Sequence, residues 1–143
     1  KRVLDFAAGS GLVAIAAARS GAAKVEAAEI DSFAIAAILL NAAANKVNVE
    51  VRLEDVTEMI EAPWDIVFAG DVCYERPMAE KVFAWLSRIK ATGTEILLAD
   101  PGRAYLPSGN ALSEVARFEI PTSLELEDRL NRTTIIYRLR MPI

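Results

Sequence analysis

Histidine is absent from all 143 residues, which excludes His-based nucleophilic triads and ordinary zinc sites, so no metal centre is expected. Cysteine occurs once, at Cys73; an internal disulfide framework is impossible, and a reducing compartment fits. No run of about eighteen apolar residues passes without a charge, so no membrane span is expected, and no stretch reads as a secretory signal. Positive charge is not in excess: 16 Lys and Arg against 20 Asp and Glu leave a net charge of −4. That balance provides no electrostatic footprint for DNA or RNA, so nucleic acid is not the expected partner. Repeats, low-complexity tracts and linkers are missing too, and the length suits a single domain over residues 1–143 with one hydrophobic core. The 53% apolar content is rich in alanine, which lets helices pack closely on a sheet. The chain opens on Lys1-Arg2 rather than Met and enters a core strand at once, so a missing N-terminal segment is expected.

What stands out is the opening stretch, Val3-Leu4-Asp5-Phe6-Ala7-Ala8-Gly9-Ser10-Gly11, running into Leu12-Val13-Ala14-Ile15-Ala16. An apolar strand ends in an acid, a small-residue turn follows, and a helix begins. This is the ligand-facing loop of a doubly wound α/β sheet, where backbone N–H groups and a helix N-terminus meet the ligand. A dinucleotide loop needs G-x-G-x-x-G to approach a pyrophosphate, but Gly11 is followed by Val13-Ala14 and Ala7 stands two before Gly9. An acid at the strand end repels phosphate and accepts hydrogen bonds from an ammonium. The loop therefore favours a cationic or zwitterionic nucleoside.

Strand and helix patterns alternate through the rest of the chain, which argues an α/β fold with a mainly parallel sheet. A helix over about 11–20 stops at Gly21. A strand at 24–29 follows, and then a long helix capped by Asp31 or Ser32 that runs to about Ala44, apolar on nearly every face and so expected to be well buried. Val49, Val51 and Leu53 alternate with charged residues, as in an edge strand with one wet face. Residues 64–69 read as a strand buried on both faces. Pro77 starts a helix whose Met78, Val82, Trp85, Leu86 and Ile89 face the core, and residues 95–100 form a fifth strand. A short helix near 109–116 is expected before two last strands, around 117–126 and 133–140, joined by a turn near Glu127-Asp128-Arg129. Pro121 confines the first of these to an edge or a bulge.

Five parallel strands ending in an antiparallel hairpin, with the acid-first glycine loop, resemble the class I (seven-stranded) S-adenosylmethionine-dependent methyltransferases, over almost the whole chain. Asp71-Val72-Cys73-Tyr74-Glu75-Arg76-Pro77 and Asp100-Pro101-Gly102-Arg103-Ala104-Tyr105-Leu106-Pro107 look like one branch. It comprises the lysine methyltransferases of the electron transfer flavoprotein β subunit and their bacterial relatives, described as nicotinamide N-methyltransferase-like or ribosomal protein L11 methyltransferase-like. The resemblance implies a Rossmann-like, doubly wound seven-stranded sheet and S-adenosylmethionine as cofactor. It places Asp5 toward the methionine ammonium, directly or through water, with Gly9 and Gly11 letting the backbone approach. Ala7 stands where the family usually has glycine, tolerable only if that residue keeps a negative φ. Glu29, eighteen positions after Gly11, matches the acid that accepts both ribose hydroxyls; Asp31 is the alternative, better used as a helix cap. Asp55 matches the acceptor of the adenine amino group, with Val56 offering its backbone N–H, although a solvated loop aspartate would look the same.

On the acceptor side the resemblance implies Asp71 and Tyr74 as the catalytic pair, the acid binding a lysine ammonium and the ring lining its stem. Glu75, Asp100 and Arg103 surround them as substrate-binding residues, unless Asp100 and Arg103 simply pair with each other. Cys73 reads as a buried small hydrophobe. The expected activity is direct methyl transfer to lysine of a protein substrate, such as an electron transfer flavoprotein β subunit or a ribosomal protein. The compartment would be the cytoplasm of a bacterium, or the mitochondrial matrix in a eukaryote. A small-molecule N- or O-methyltransferase and a non-catalytic binding module of the same fold are the rivals. A deep apolar pocket would favour the first of these.

Overall fold

The chain is described by a computed structural model over residues 1–107, 109–121 and 131–140. Its elements follow in the order β1 (Arg2–Phe6), α1 (Leu12–Arg19), β2 (Lys24–Glu29), α2 (Ser32–Ala44) and β3 (Glu50–Leu53). A 3₁₀ turn (Val56–Glu58), β4 (Ile66–Gly70), α3 (Arg76–Ala91), β5 (Glu95–Asp100), β6 (Leu112–Pro121) and β7 (Asn131–Leu139) complete it. The strands form one sheet in the order β3-β2-β1-β4-β5-β7-β6. β1 to β5 run parallel, while β7 is antiparallel to both β5 and β6. This is the doubly wound, seven-stranded fold that the sequence suggests. The strand order reverses between β1 and β4, and such a switch point opens a crevice at the carboxyl ends of the strands.

Alternation along the strands divides the core between the two faces. Val3, Val25 and Ala27 meet Ala14 and Ile15 of α1 and Ile38 and Ala42 of α2. Leu4, Phe6, Val67, Ile96 and Leu98 meet Val82, Trp85, Leu86 and Ile89 of α3, with the Phe6 and Trp85 rings 5.0 Å apart. Asp31 caps α2 by accepting from Phe33 N at 2.8 Å, which settles the choice between Asp31 and Ser32. Pro77 sits in the first turn of α3, where its missing N–H leaves no intrahelical bond unmade. β3 is an edge strand, as its charges suggest.

Four local expectations change. Residues 112–116 belong to β6, not to a helix: Leu112, Ser113 and Glu114 pair with Leu139, Arg138 and Tyr137, with a register shift between Glu114 and Ala116. Ladder pairing with β7 overrides the weak local helical pattern. Pro121 ends this strand, which is the outermost of the sheet. α2 buries only Ile38 and Ala42 and leaves Phe33, Leu39 and Leu40 exposed, because a helix on the outer layer of a sheet has one covered side. β4 begins at Ile66, and its two faces differ, with Val67 and Ala69 buried and Ile66 and Phe68 half-buried. β7 starts at Asn131, two residues earlier than expected. The turn near Glu127-Asp128-Arg129 and the stretch 122–126 lie outside the described residues. Among the described residues no helix is long and apolar enough to cross a membrane.

Candidate functional site

The carboxyl ends of β1, β2 and β4 surround a cleft of about 460 Å³, built first by the loop after β1. That loop closes through Ala8 N to Ala28 O at 3.1 Å and Gly11 N to Ala8 O at 2.8 Å. Gly9 and Gly11 both have positive φ, 54° and 80°, and a Cβ on Gly11 would lie 3.0 Å from Ile38 Cγ2. Ala7 also has positive φ, at 53°, so the condition under which alanine is readily tolerated here is not met. The closed loop imposes this left-handed conformation at a cost of about 1–2 kcal/mol.

Glu29 ties the loop to the end of β2. Its Oε2 accepts from Gly9 N at 3.0 Å and its Oε1 from Ile30 N at 2.9 Å, and the residue lines the cleft. Asp5 does not line it. It is 3% exposed and accepts from Ala14 N at 2.9 Å behind the loop. Burial pushes its carboxyl up to about 6; the Ala14 N–H opposes that rise, and the nearby Glu29 charge adds to it. Asp5 thus fixes the first turn of α1 and faces the cleft only through the loop.

Asp55, just after β3, also lines the cleft. Its Oδ1 accepts from Thr57 N at 3.0 Å and Thr57 Oγ1 at 2.6 Å, and Oδ2 from Lys81 Nζ at 2.7 Å. Burial opposes its ionisation, but Lys81 and Thr57 outweigh burial and hold the carboxyl below its usual range. Val56 is fully buried beneath this wall. Lys81, Met78 and Val82, one face of α3, complete this side. Sequence reading assigned Met78 and Val82 to the core and passed over Lys81. The 3–4 residue spacing of the three was the available signal.

Asp71 and Tyr74 line the far end of the cleft. Asp71 has φ 54°, and its backbone N–H is tied to Ala99 O at 2.8 Å. Its carboxylate receives a two-pronged clamp from Arg103, Nε to Oδ1 at 2.6 Å and Nη2 to Oδ2 at 2.7 Å. Those bonds from Arg103 hold the Asp71 carboxyl below the usual range despite partial burial. Tyr74 is half exposed.

Asp100 and Glu75 do not line the cleft. Asp100 is 1% exposed and absent from the cleft wall. Its Oδ1 accepts from the backbones of Gly102 and Arg103, both at 2.7 Å, while buried Oδ2 has no hydrogen-bond partner among the described residues. Asp100 therefore meets Arg103 at its backbone, whereas the guanidinium reaches Asp71. Glu75 is the exposed N-cap position of α3, outside the cleft lining. Cys73 is buried; burial first, then the Asp100 carboxylate, push its thiol up to about 12, so it is inert at neutral pH. Among the described residues no cluster of three or more His, Cys, Asp or Glu side chains could hold a metal ion.

Comparison with known proteins identifies the family. A family model described as Ribosomal protein L11 methyltransferase (PrmA) matches residues 1–102. The Electron transfer flavoprotein beta subunit lysine methyltransferase of Danio rerio is 34% identical over 146 residues, covering 96% of this chain and 55% of that protein. Its namesake from Homo sapiens is 37% identical over 114 residues, covering 78% and 43%. The chain thus spans about half the length of the curated relatives it matches. Among solved structures, magnesium protoporphyrin IX methyltransferase (ChlM) from Synechocystis PCC 6803 with bound SAM superposes with a TM-score of 0.69. It shares 18% identity and covers 96% of this chain and 69% of that one, a likeness of fold.

Proposed function

Because this chain belongs to the ribosomal protein L11 methyltransferase (PrmA) family, we propose that it binds S-adenosylmethionine in the cleft and methylates lysine side chains of a protein. The observation that carries the reading is the convergence of two residue sets on one cleft: Glu29 and Asp55 at one end, Asp71 and Tyr74 at the other.

The donor set fits the cofactor. Each Glu29 oxygen uses one lone pair on the loop backbone, leaving acceptors for two ribose hydroxyls. Asp55 has filled Oδ1 but keeps a lone pair on Oδ2 beside Lys81, enough for one amino group. Phe6, Ala28, Ile30 and Val72 supply an apolar lining. Asp5 holds the loop in shape from behind. When bound, S-adenosylmethionine supplies a methyl group made electrophilic by its sulfonium.

The remaining work belongs to the chain. Asp71 receives the lysine nitrogen and Tyr74 flanks its aliphatic stem, and alignment of the reactants is worth roughly 7–11 kcal/mol. The lysine must lose a proton to water before its lone pair can attack, a cost of about 4–5 kcal/mol at pH 7 for an ordinary pKa near 10.4. Closure of the apolar wall around the amine offsets that cost by disfavouring the ammonium. A protein substrate is favoured over a small molecule by the exposure of the cleft's acceptor end, where the lining residue Tyr74 is half exposed. The names of the matching family and of the relatives, ribosomal protein L11 methyltransferase and electron transfer flavoprotein beta subunit lysine methyltransferase, also point to protein substrates. An electron transfer flavoprotein β subunit and a ribosomal protein are the substrates to try first. Cys73 stays a thiol in the reducing compartment that this assigns, the bacterial cytoplasm or the mitochondrial matrix.

The test is transfer of labelled methyl from S-adenosylmethionine to protein in a bacterial lysate, followed by peptide mapping. Label on lysine is expected, with Asp71→Ala reducing it tenfold or more, about 1.4 kcal/mol of transition-state stabilisation, while cofactor affinity changes little. Label on small molecules alone, with Asp71→Ala unimpaired, would overturn both substrate class and site.

A further inference from the structure

We propose that Arg103 is a positioning residue that neutralises Asp71, so that the acceptor end of the cleft takes lysine as the free amine and not as the ammonium. This rests on the protein-lysine reading above. A lone carboxylate facing a lysine nitrogen favours the protonated form, which has no lone pair with which to attack. An acid placed to bind the substrate would therefore hinder the reaction it serves. A guanidinium bonded to both oxygens cancels that field while leaving each oxygen a second lone pair to accept from the N–H of a neutral amine.

Three features show that this pairing is built in. Asp71 projects from a fixed backbone, left-handed and tied to β5 through Ala99 O. Arg103 is held from below by Asp100, whose buried Oδ1 takes both the Gly102 and Arg103 N–H groups. The guanidinium then reaches Asp71 across 32 residues of sequence with both prongs at 2.6–2.7 Å, a fit that a lysine ammonium cannot reproduce. Asp100 thus acts through Arg103 and not on substrate. Other charges face the same carboxylate. Arg132 of β7 also acts on it, Glu29, Glu54, Asp55 and Lys81 line the same cleft with Tyr74, and Asp100 and Cys73 lie on the buried side of the β4–α3 and β5 ends. Arg103 is the cation in bonded contact with both Asp71 oxygens.

The test separates charge from structure. A fluorescein-labelled hexalysine peptide, fully protonated at pH 7, is titrated by anisotropy against the wild-type chain, Arg103→Gln, Arg103→Lys, Asp71→Asn/Arg103→Gln and Arg117→Gln. Arg117→Gln makes the same change of net charge on the exposed Glu114 pair. Arg103→Gln should bind at least fivefold tighter, the double variant and Arg103→Lys should return to within twofold of wild type, and Arg117→Gln should change little. Thermal melts establish that each variant is folded. In methyl transfer to protein, Arg103→Gln should lower both KM and kcat at pH 7 and move the acid limb of kcat alkaline by about one pH unit. A merely structural role would depress the rate at every pH and leave the limb in place. Unchanged hexalysine affinity in Arg103→Gln, or an equal gain in Arg117→Gln, would overturn the inference. Absence of methyl transfer by the wild type would instead overturn the underlying reading, which the peptide titration does not depend on.

Discussion

Replacing Asp5 by Asn should make the protein more stable at neutral pH, against the expectation for a buried, hydrogen-bonded acid. Asp5 has a folded pKa of about 6 against 3.8 for the free side chain. The folded state therefore holds the proton more tightly between about pH 4 and 6, stability falls as pH rises through that window, and the whole penalty is present above it. Two units of pKa correspond to about 3 kcal/mol at most. Asn removes the ionisation and keeps an oxygen for Ala14 N–H, although a neutral acceptor there is weaker by about 1 kcal/mol. The net gain at pH 7.5 should be about 1–2 kcal/mol, or roughly 2–8 °C in Tm for a domain of this size. Urea denaturation of both proteins at pH 4, 5, 6 and 7.5 measures it. The wild type should lose stability relative to the variant across pH 4–6 and then run parallel. Curves parallel throughout, or a variant less stable at pH 7.5, would refute an Asp5 carboxyl strained by burial.

Glu29→Ala should weaken cofactor binding by about 1–3 kcal/mol and also loosen the loop, since Gly9 N and Ile30 N lose their acceptor; calorimetry with S-adenosylhomocysteine together with amide exchange at Gly9 reads both. Ala7→Gly should raise stability by about 0.5–1 kcal/mol, because relief of a left-handed alanine exceeds the entropy that glycine costs, and a denaturation midpoint moving the other way would contradict the φ of 53°. Cys73 should resist a thiol reagent at pH 8 in the folded protein and react on addition of denaturant; rapid labelling of the native state would contradict its burial and raised pKa.

The first four elements were readable because they obey local rules. The apolar strand ending in Asp5, the small-residue turn and the Asp31 cap each carry their own signal, and the offset from Gly11 pointed to Glu29. What could not be read depends on chain crossings. The Asp71–Arg103 clamp joins residues 32 apart that meet only because β4 and β5 are parallel neighbours. Sequence proximity instead suggested Asp100 as the partner of Arg103, and the contact that does form between them goes to the backbone. The left-handed Ala7 was hidden for a similar reason: the Ala8–Ala28 bond and the Glu29 carboxylate force it, and both belong to β2. Leu112–Ala116 was misread because the deciding partner, β7, lies later in the chain.

The position of β1 also bears on how the chain reaches its fold. It lies between β2 and β4, and its register with β4 joins Val3 to Ile66, a separation of 63 residues. The β2 side can zip early, since Val3 meets Val25, but the other ladder must wait for a distant strand, and long-range pairing of this sort slows folding. At a synthesis rate of about 5–20 residues per second, that interval lasts roughly 3–12 s. Throughout it the edge of the future sheet centre, carrying Val3, Leu4 and Phe6, has no partner along one side. An open apolar edge of this kind recruits other strands, so the growing chain is most vulnerable to intermolecular pairing before β4 is available.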